Sequence, residues 1–249
     1  MSTNKELIIF DLDNTLAISK TALDDEMAGL LRRLLLKMKV AIISGGMFSQ
    51  FELQVLDKLS SETVKFENLY LLPTSGTRLY IWQGAWQVQY ADNLSESDKK
   101  KIIESLNSAL KITGFNFSEK SYGERIEDRE SEIAFSALGQ KAPPELKAVW
   151  DPTREKRERI VLVLKEMIPD FDIHLGGGTT IDITKKGEDK AYGIRKLAEF
   201  LHMPIEKMIF VGDALYPEGN DYPAISTGVE CVSVSGPEET KKVISDLLK

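Results

Sequence analysis

The chain has 249 residues, 42% of them hydrophobic and 29% charged, a formal net charge of -7 and a single cysteine, Cys231. That length can bury a large core without covalent staples, and one cysteine excludes an intrachain disulfide. The acidic balance argues against generic nucleic-acid binding, and an anionic substrate would need a local positive site.

The opening MSTNKELIIFDLD runs into two carboxylates too soon for a signal peptide or a membrane span, and a lone cysteine suits a reducing, cytoplasmic setting. Residues 7–10 are wholly apolar and predict a buried parallel strand. Leucines at 30, 31, 34 and 35 predict a helix over 23–38, with Asp24, Asp25 and Glu26 in its first turn. Residues 40–43 predict a second strand ending in Ser44-Gly45-Gly46, followed by a helix over 47–59 and a third strand over 68–72. Strands alternating with helices indicate a parallel sheet with helical crossovers.

The pattern changes at about 80. Residues 79–91 alternate around Gly84 and predict an antiparallel hairpin. A helix is expected over 96–112, capped by Ser95 and stopped at Gly114, then a strand over 132–137. Asp151-Pro152 predicts the start of a helix ending before Pro169, and short strands are expected at 172–175 and 180–184, around the triplet Gly176, Gly177 and Gly178. Alternation returns near Gly187 with a helix to about 201, strands at 208–211 and 230–234, and a last helix from Pro237. The expected fold is an α/β, Rossmann-like core from 1–79 and 186–249, with an α+β insertion over 80–185.

Four features fall at strand ends or at a helix start, the edge where open α/β sheets bind ligands. Asp11 and Asp13 in DLDNT could bind a metal or divide the roles of nucleophile and acid/base, and Thr15 adds a hydroxyl and an amide. Ser44, with Gly45 behind it, could donate to a phosphate oxygen, or simply cap a helix. Lys190 sits early in a helix, where the dipole disfavours a cation unless an anion meets it, or is simply a solvated surface lysine. Asp213, continued by Asn220 and Asp221, could complete an oxygen-rich Mg²⁺ site, or form an ordinary polar turn.

Taken in order, these four motifs resemble the haloacid dehalogenase superfamily of phosphotransferases. Asn14 stands where that family usually has Gly, and Asn tolerates the left-handed backbone the turn needs. The resemblance implies that Asp11 attacks phosphorus and Asp13 is the acid/base. It implies that Mg²⁺ is held by Asp11, the Asp13 carbonyl and Asp213, that Ser44 and Lys190 bind the transferring oxygens, and that Asn220 and Asp221 support the metal waters and Lys190. It makes the insertion a C2-type cap that selects the substrate.

Within the superfamily, GDALYPEGNDYP (212–223), the final helix opening PEET and, more loosely, 125–145 resemble the eukaryotic-type phosphomannomutases. This likeness implies that Arg129 contacts substrate phosphate and that Thr180 and Asp182 contact the sugar. The backbone at Gly177 and Gly178 could contact the distal phosphate or sugar, or form only a hairpin turn. Arg125 and Arg129 could equally be a solvated strand face. Lys20, Gln140 and Lys147 fall where those mutases carry three further arginines, and neither Lys nor Gln makes the bidentate fork of Arg. Trp82, Trp86 and Trp150 are expected in packing, His174 and His202 in structural roles, and Cys231 in inert core.

The leading expectation is therefore a Mg²⁺-dependent phosphatase of a sugar phosphate, a monomer or homodimer with neither nucleic-acid nor membrane partners. The alternative is a phosphomannomutase interconverting mannose 1- and 6-phosphate. A non-catalytic sugar-phosphate sensor ranks third.

Overall fold

The computed structural model describes residues 4–60, 64–117, 120–176, 178–217 and 219–249. The chain divides into two compact units, one from 1–91 and 188–249, the other from 92–187.

The first unit is built on a seven-stranded sheet in the order β11-β10-β1-β2-β3-β4-β5. Its strands are β1 (Leu7–Asp11), β2 (Lys39–Ile43), β3 (Leu69–Leu72), β4 (Arg78–Trp82), β5 (Trp86–Ala91), β10 (Met208–Gly212) and β11 (Glu230–Ser233). The pairs β11-β10, β10-β1, β1-β2 and β2-β3 are parallel, and β3-β4 and β4-β5 are antiparallel. Wholly apolar strands arise because both faces are covered. Ile8 and Phe10 pack with α1 (Asp25–Leu35), a helical run over 48–59 and α8 (Pro237–Leu247), while Leu7 and Ile9 pack with α7 (Lys190–Leu201). The run over 48–59 is α-helical in α2 (Phe48–Phe51) and α3 (Asp57–Leu59), with a π-helical turn, Glu52–Leu56, between them.

The second unit has a four-stranded antiparallel sheet in the order β6-β7-β9-β8. Its strands are β6 (Ile126–Asp128), β7 (Glu132–Ser136), β8 (Phe171–Leu175) and β9 (Thr180–Lys185). Ile133, Phe135, Ile173, Ile181 and Ile183 form one apolar core with Ile102, Leu106 and Leu110 of α4 (Glu96–Ile112) and Ile160 and Leu164 of α6 (Glu155–Met167). Ser95 caps α4 by accepting from the Asp98 amide at 3.1 Å, and Gly114 follows the helix at φ 73°.

Three expectations are corrected. The 79–91 hairpin forms, but β4 pairs with β3, so it extends the core sheet and the second unit begins at Asp92 rather than near 80. The helix expected from Pro152 begins at Glu155, because Arg154 takes a left-handed φ of 66°. The Asp151 carboxylate still serves the helix start, accepting from the amides of Lys156 at 3.1 Å and Arg157 at 3.2 Å. A short helix, α5 (Pro144–Trp150), precedes it, with Pro at its first position. Cys231, expected in the core, is only partly buried. Among the described residues, no helix is long and apolar enough to cross a membrane.

Arg157 and Asp151 form a buried ion pair at 2.9 Å in the second unit, and Arg157 Nη1 also donates to the Gly176 carbonyl at 2.9 Å. Removing one partner of such a pair strands a charge. Arg157→Met is expected to lower unfolding free energy by roughly 3 kcal/mol, and adding Asp151→Asn to recover most of that loss, as read by urea denaturation of both variants.

Candidate active site

The parallel strands β1, β2 and β10 end side by side, so the residues just past their ends share one edge of the sheet. Asp11 closes β1 and Ser44 comes directly after β2, and both are buried. Asp213 comes directly after β10 and is partly buried. Lys190 opens α7 behind its N-cap Asp189 and is 1% exposed.

An ammonium at a helix start needs an anion, and Lys190 meets two. Its Nζ donates to Asp11 Oδ1 at 2.5 Å and to Asp221 Oδ1. Asp221 Oδ2 accepts from the Ala214 amide at 2.9 Å. Thr15 ties the two strand ends together: its Oγ1 donates to Asp213 Oδ1 at 3.3 Å and accepts from the Asp213 amide at 3.1 Å. The turn between them needs Asn14 at φ 60°, the conformation expected of it.

Two glycine positions let these groups approach. A side chain on Gly212 would fall on the Asp221 carboxylate. A methyl on Gly193 would lie 2.8 Å from the Ser75 carbonyl and 2.9 Å from Gly76 Cα, so α7 docks backbone-to-backbone on the loop after β3.

Carboxylate oxygens of Asp11, Asp213 and Asp221 all lie within 4.8 Å of one another. Three carboxylates against one ammonium leave two negative charges in a buried place. Burial pushes the Asp11 carboxyl up to about 7, with Lys190 opposing and Asp221 and Asp213 reinforcing the rise. Burial and Asp221 raise Asp213 as well. Burial works against the Lys190 charge, but Asp11 and Asp221 outweigh it and hold the ammonium on. A divalent cation would neutralise that excess, and hard carboxylate oxygens suit Mg²⁺. Both Asp221 oxygens are engaged, so Asp11 and Asp213 are the carboxylates left to hold it.

Asp13 is partly buried, and both its oxygens accept hydrogen bonds: Oδ1 from the Lys20 amide at 2.6 Å and Oδ2 from Gln50 Nε2 at 3.2 Å. Lys20 thus enters through its backbone, at φ 60°, and its side chain is exposed. Ser44 Oγ accepts from the Gly46 amide at 3.2 Å. Gly45 has open space where a side chain would be, and Asn220 is exposed.

The expected residues of the second unit form two groups. Arg129 bonds Glu127 at 2.7 Å and Glu132 at 2.6 Å and lies 3.6 Å from Asp182. Burial, with Asp182 beside it, pushes Glu132 up to about 8 against the pull of Arg129. Separately, Lys147 Nζ donates to the Gln140 carbonyl at 3.1 Å, and a methyl on Gly178 would lie 2.6 Å from the Lys147 carbonyl. Thr180 pairs with Ser136 in the sheet, two residues before Asp182 on the same strand. Gly177 lies outside the described residues. Trp82 and Trp86 pack edge-on at 5.5 Å, and His202 serves as the left-handed C-cap of α7 at φ 48°. Sequence reasoning missed Gln50 and Gln54, which meet Asp13, and Glu127 and Glu132, which bond Arg129. Their four-residue spacing after Ser-Gly-Gly was the available signal for the glutamines.

A doubly wound sheet that brings Asp11 and Asp213 at its strand ends to Lys190 at a helix start is the arrangement expected of the haloacid dehalogenase superfamily, and the solved structures agree on the fold. IMP-nucleotidase from Plasmodium falciparum superposes with a TM-score of 0.73 at 19% identity, covering 99% of this chain and 68% of that one. A haloacid dehalogenase-like hydrolase from Bacteroides thetaiotaomicron superposes at 0.64 and 13% identity, covering 98% and 99%. The chain belongs to the eukaryotic phosphomannomutase family, whose model matches residues 27–249. Curated relatives extend the likeness over the N-terminal motif: a phosphomannomutase of Encephalitozoon cuniculi is 25% identical over 98% of this chain and 94% of its own, and phosphomannomutase 2 of Dictyostelium discoideum 26% identical over 99% and 98%.

A carboxyl raised from 3.8 to about 7 binds its proton more tightly in the folded state, so its stabilising contribution is full below 3.8 and lost as pH rises through about 7. In chelator, Asp11→Asn is expected to melt roughly 5 °C above the parent at pH 8 and to lose most of that advantage at pH 5. Mg²⁺ should raise the melting temperature of the parent at pH 8 and leave Asp213→Asn nearly unmoved, both read by thermal denaturation. Gly193→Ala is expected to push α7 and Lys190 away from Asp11 and to cost tenfold or more in kcat, measured by steady-state kinetics on a sugar phosphate.

Proposed function

We propose that this protein is a Mg²⁺-dependent phosphomannomutase, interconverting mannose 1-phosphate and mannose 6-phosphate through a phospho-aspartate at Asp11. The observation that carries this reading is the family match over 27–249, extended to nearly the whole chain by the curated relatives. Hydrolysis led in the sequence because Lys20, Gln140 and Lys147 stand where the mutases carry arginines. The family match supports isomerisation better.

In this reading, the Asp11 carboxylate forms the bond to phosphorus as the bond to the sugar oxygen breaks. Lys190, already on Asp11, and the Ser44 hydroxyl compensate charge on the transferring oxygens. Asp13 gives a proton to the departing sugar oxygen, then takes one from the hydroxyl that returns. Mg²⁺ on Asp11, Asp213 and the Asp13 carbonyl supplies charge neutralisation when bound. The inserted unit would select the substrate in this reading, with Arg129, Lys147, Thr180, Asp182, Gln140 and the Gly178 backbone as the candidate contacts for the distal phosphate and sugar. A lone cysteine suits a reducing cytoplasm, which is where the enzyme would act in this reading.

One observation favours a phosphatase as the second reading. Arg129 is already bonded to Glu127 and Glu132, with Asp182 close by, which leaves its guanidinium less to offer a second phosphate. A mutase must hold both phosphates of the bisphosphate intermediate while it turns over.

Incubation of mannose 1-phosphate with enzyme, Mg²⁺ and a catalytic amount of hexose 1,6-bisphosphate, followed by phosphorus NMR, decides between them. Mannose 6-phosphate is expected as the main product, with inorganic phosphate appearing at least tenfold more slowly. Inorganic phosphate alone, with the bisphosphate present, would establish the phosphatase instead.

A further inference from the structure

We infer that Gln50 and Gln54 are positioning residues that set the direction of the acid/base carboxylate of Asp13; the inference rests on the phosphotransfer reading of Asp11 and Asp13.

Gln50 Nε2 donates to Asp13 Oδ2 at 3.2 Å and to Gln54 Oε1 at 2.6 Å. Two acceptors on one nitrogen fix which end of the amide faces Asp13. Gln54 is 3% exposed and is anchored in turn, its Nε2 donating to the Thr21 carbonyl at 2.7 Å and reaching Asp13 Oδ1 at 3.5 Å. Thr21 lies on the loop after the DLDNT turn, and the Lys20 amide on that loop bonds the same Asp13 oxygen at 2.6 Å. The carboxylate is therefore held from both sides, by its own loop and by a helix from across the sheet edge.

The backbone is shaped to allow this. Gln54 lies within the π-helical turn Glu52–Leu56, a wider turn that frequently occurs at functional sites. Gly46 is the other concession: a side chain there would fall on the Gln50 amide. Burying a glutamine amide against a carboxylate is costly unless the bonds are used. A pure packing role would be served better by Leu or Met.

Asp13 is needed only where a poor leaving group must be protonated or a hydroxyl deprotonated. A sugar phosphate needs both steps: the bond from phosphorus to the sugar oxygen breaks, and the Asp13 proton goes to that oxygen. Acetyl phosphate does not, because acetate leaves as a stable anion while the Asp11 carboxylate takes the phosphoryl group.

The test uses Gln50→Met, which keeps the stem and removes the amide, and Gly46→Ala, which keeps Gln50 but displaces it. Each is assayed for isomerisation of mannose 1-phosphate and for formation of phosphorylated enzyme from acetyl phosphate. Both variants are expected to lose tenfold or more in kcat on the sugar phosphate with KM within about twofold, and to phosphorylate from acetyl phosphate within about twofold of the parent. Equal losses with both donors, or no loss with the sugar phosphate, would overturn the positioning role while leaving the phosphotransfer reading standing. A parent protein that takes phosphate from neither donor overturns the phosphotransfer reading and this inference with it.

Discussion

The site depends on one constraint: a buried lysine placed where a helix dipole disfavours it. Lys190 begins α7, is almost fully buried, and is held there by Asp11 and Asp221. Two carboxylates on one ammonium settle the lysine and leave the site net negative once Asp213 is counted. A divalent cation would neutralise that excess, and burial, opposed by Lys190 and reinforced by Asp221 and Asp213, raises the Asp11 carboxyl in its absence. The glycines answer the same demand, since Gly212 clears space for the Asp221 carboxylate and Gly193 lets α7 seat on the loop after β3.

Topology brings these residues together. The reversal of strand order around β1, with β10 on one side and β2 on the other, places three parallel strand ends next to one another. Asp11, Ser44 and Asp213 are far apart in sequence, yet each is the first polar group past an apolar strand. Thr15 then locks the ends of β1 and β10 through two hydrogen bonds. The inserted unit has its own apolar core and its own polar network, in which Arg129 answers to three carboxylates. Within it the sugar-phosphate contacts expected from the sequence resolve into two separate groups.

Most of the core was legible because its signals are local. Apolar runs marked β1, β2, β3 and β10, and those of β1, β2 and β10 end at Asp11, Ser44 and Asp213, the residues to which the chemistry is assigned. Asn14 was readable as a left-handed turn residue because it stands where the resembled family has Gly and Asn tolerates that backbone. Partners that depend on long-range pairing were not legible. Alternation around Gly84 predicts a hairpin but not that β4 would pair with β3 and extend the core sheet. The run GERIEDRESE offers charges of both signs, and only the fold shows Glu127 and Glu132 closing on Arg129. Gln50 and Gln54 looked like polar positions on an ordinary helix, and the π-helical turn that brings them to Asp13 has no simple sequence mark. Pro152 suggested a helix start, but Asp151 caps from further back across a left-handed Arg154.

The central claim is that Asp11 carries the phosphoryl group. Brief reaction with a hexose bisphosphate, quenching, borohydride reduction and peptide mapping by mass spectrometry test it directly, because reduction converts an aspartyl phosphate to homoserine. The account predicts homoserine at position 11 and at no other aspartate, abolished by Asp11→Asn. Unmodified Asp11 in an enzyme that turns over under the same conditions, or homoserine at Asp13 or Asp213 instead, would contradict it.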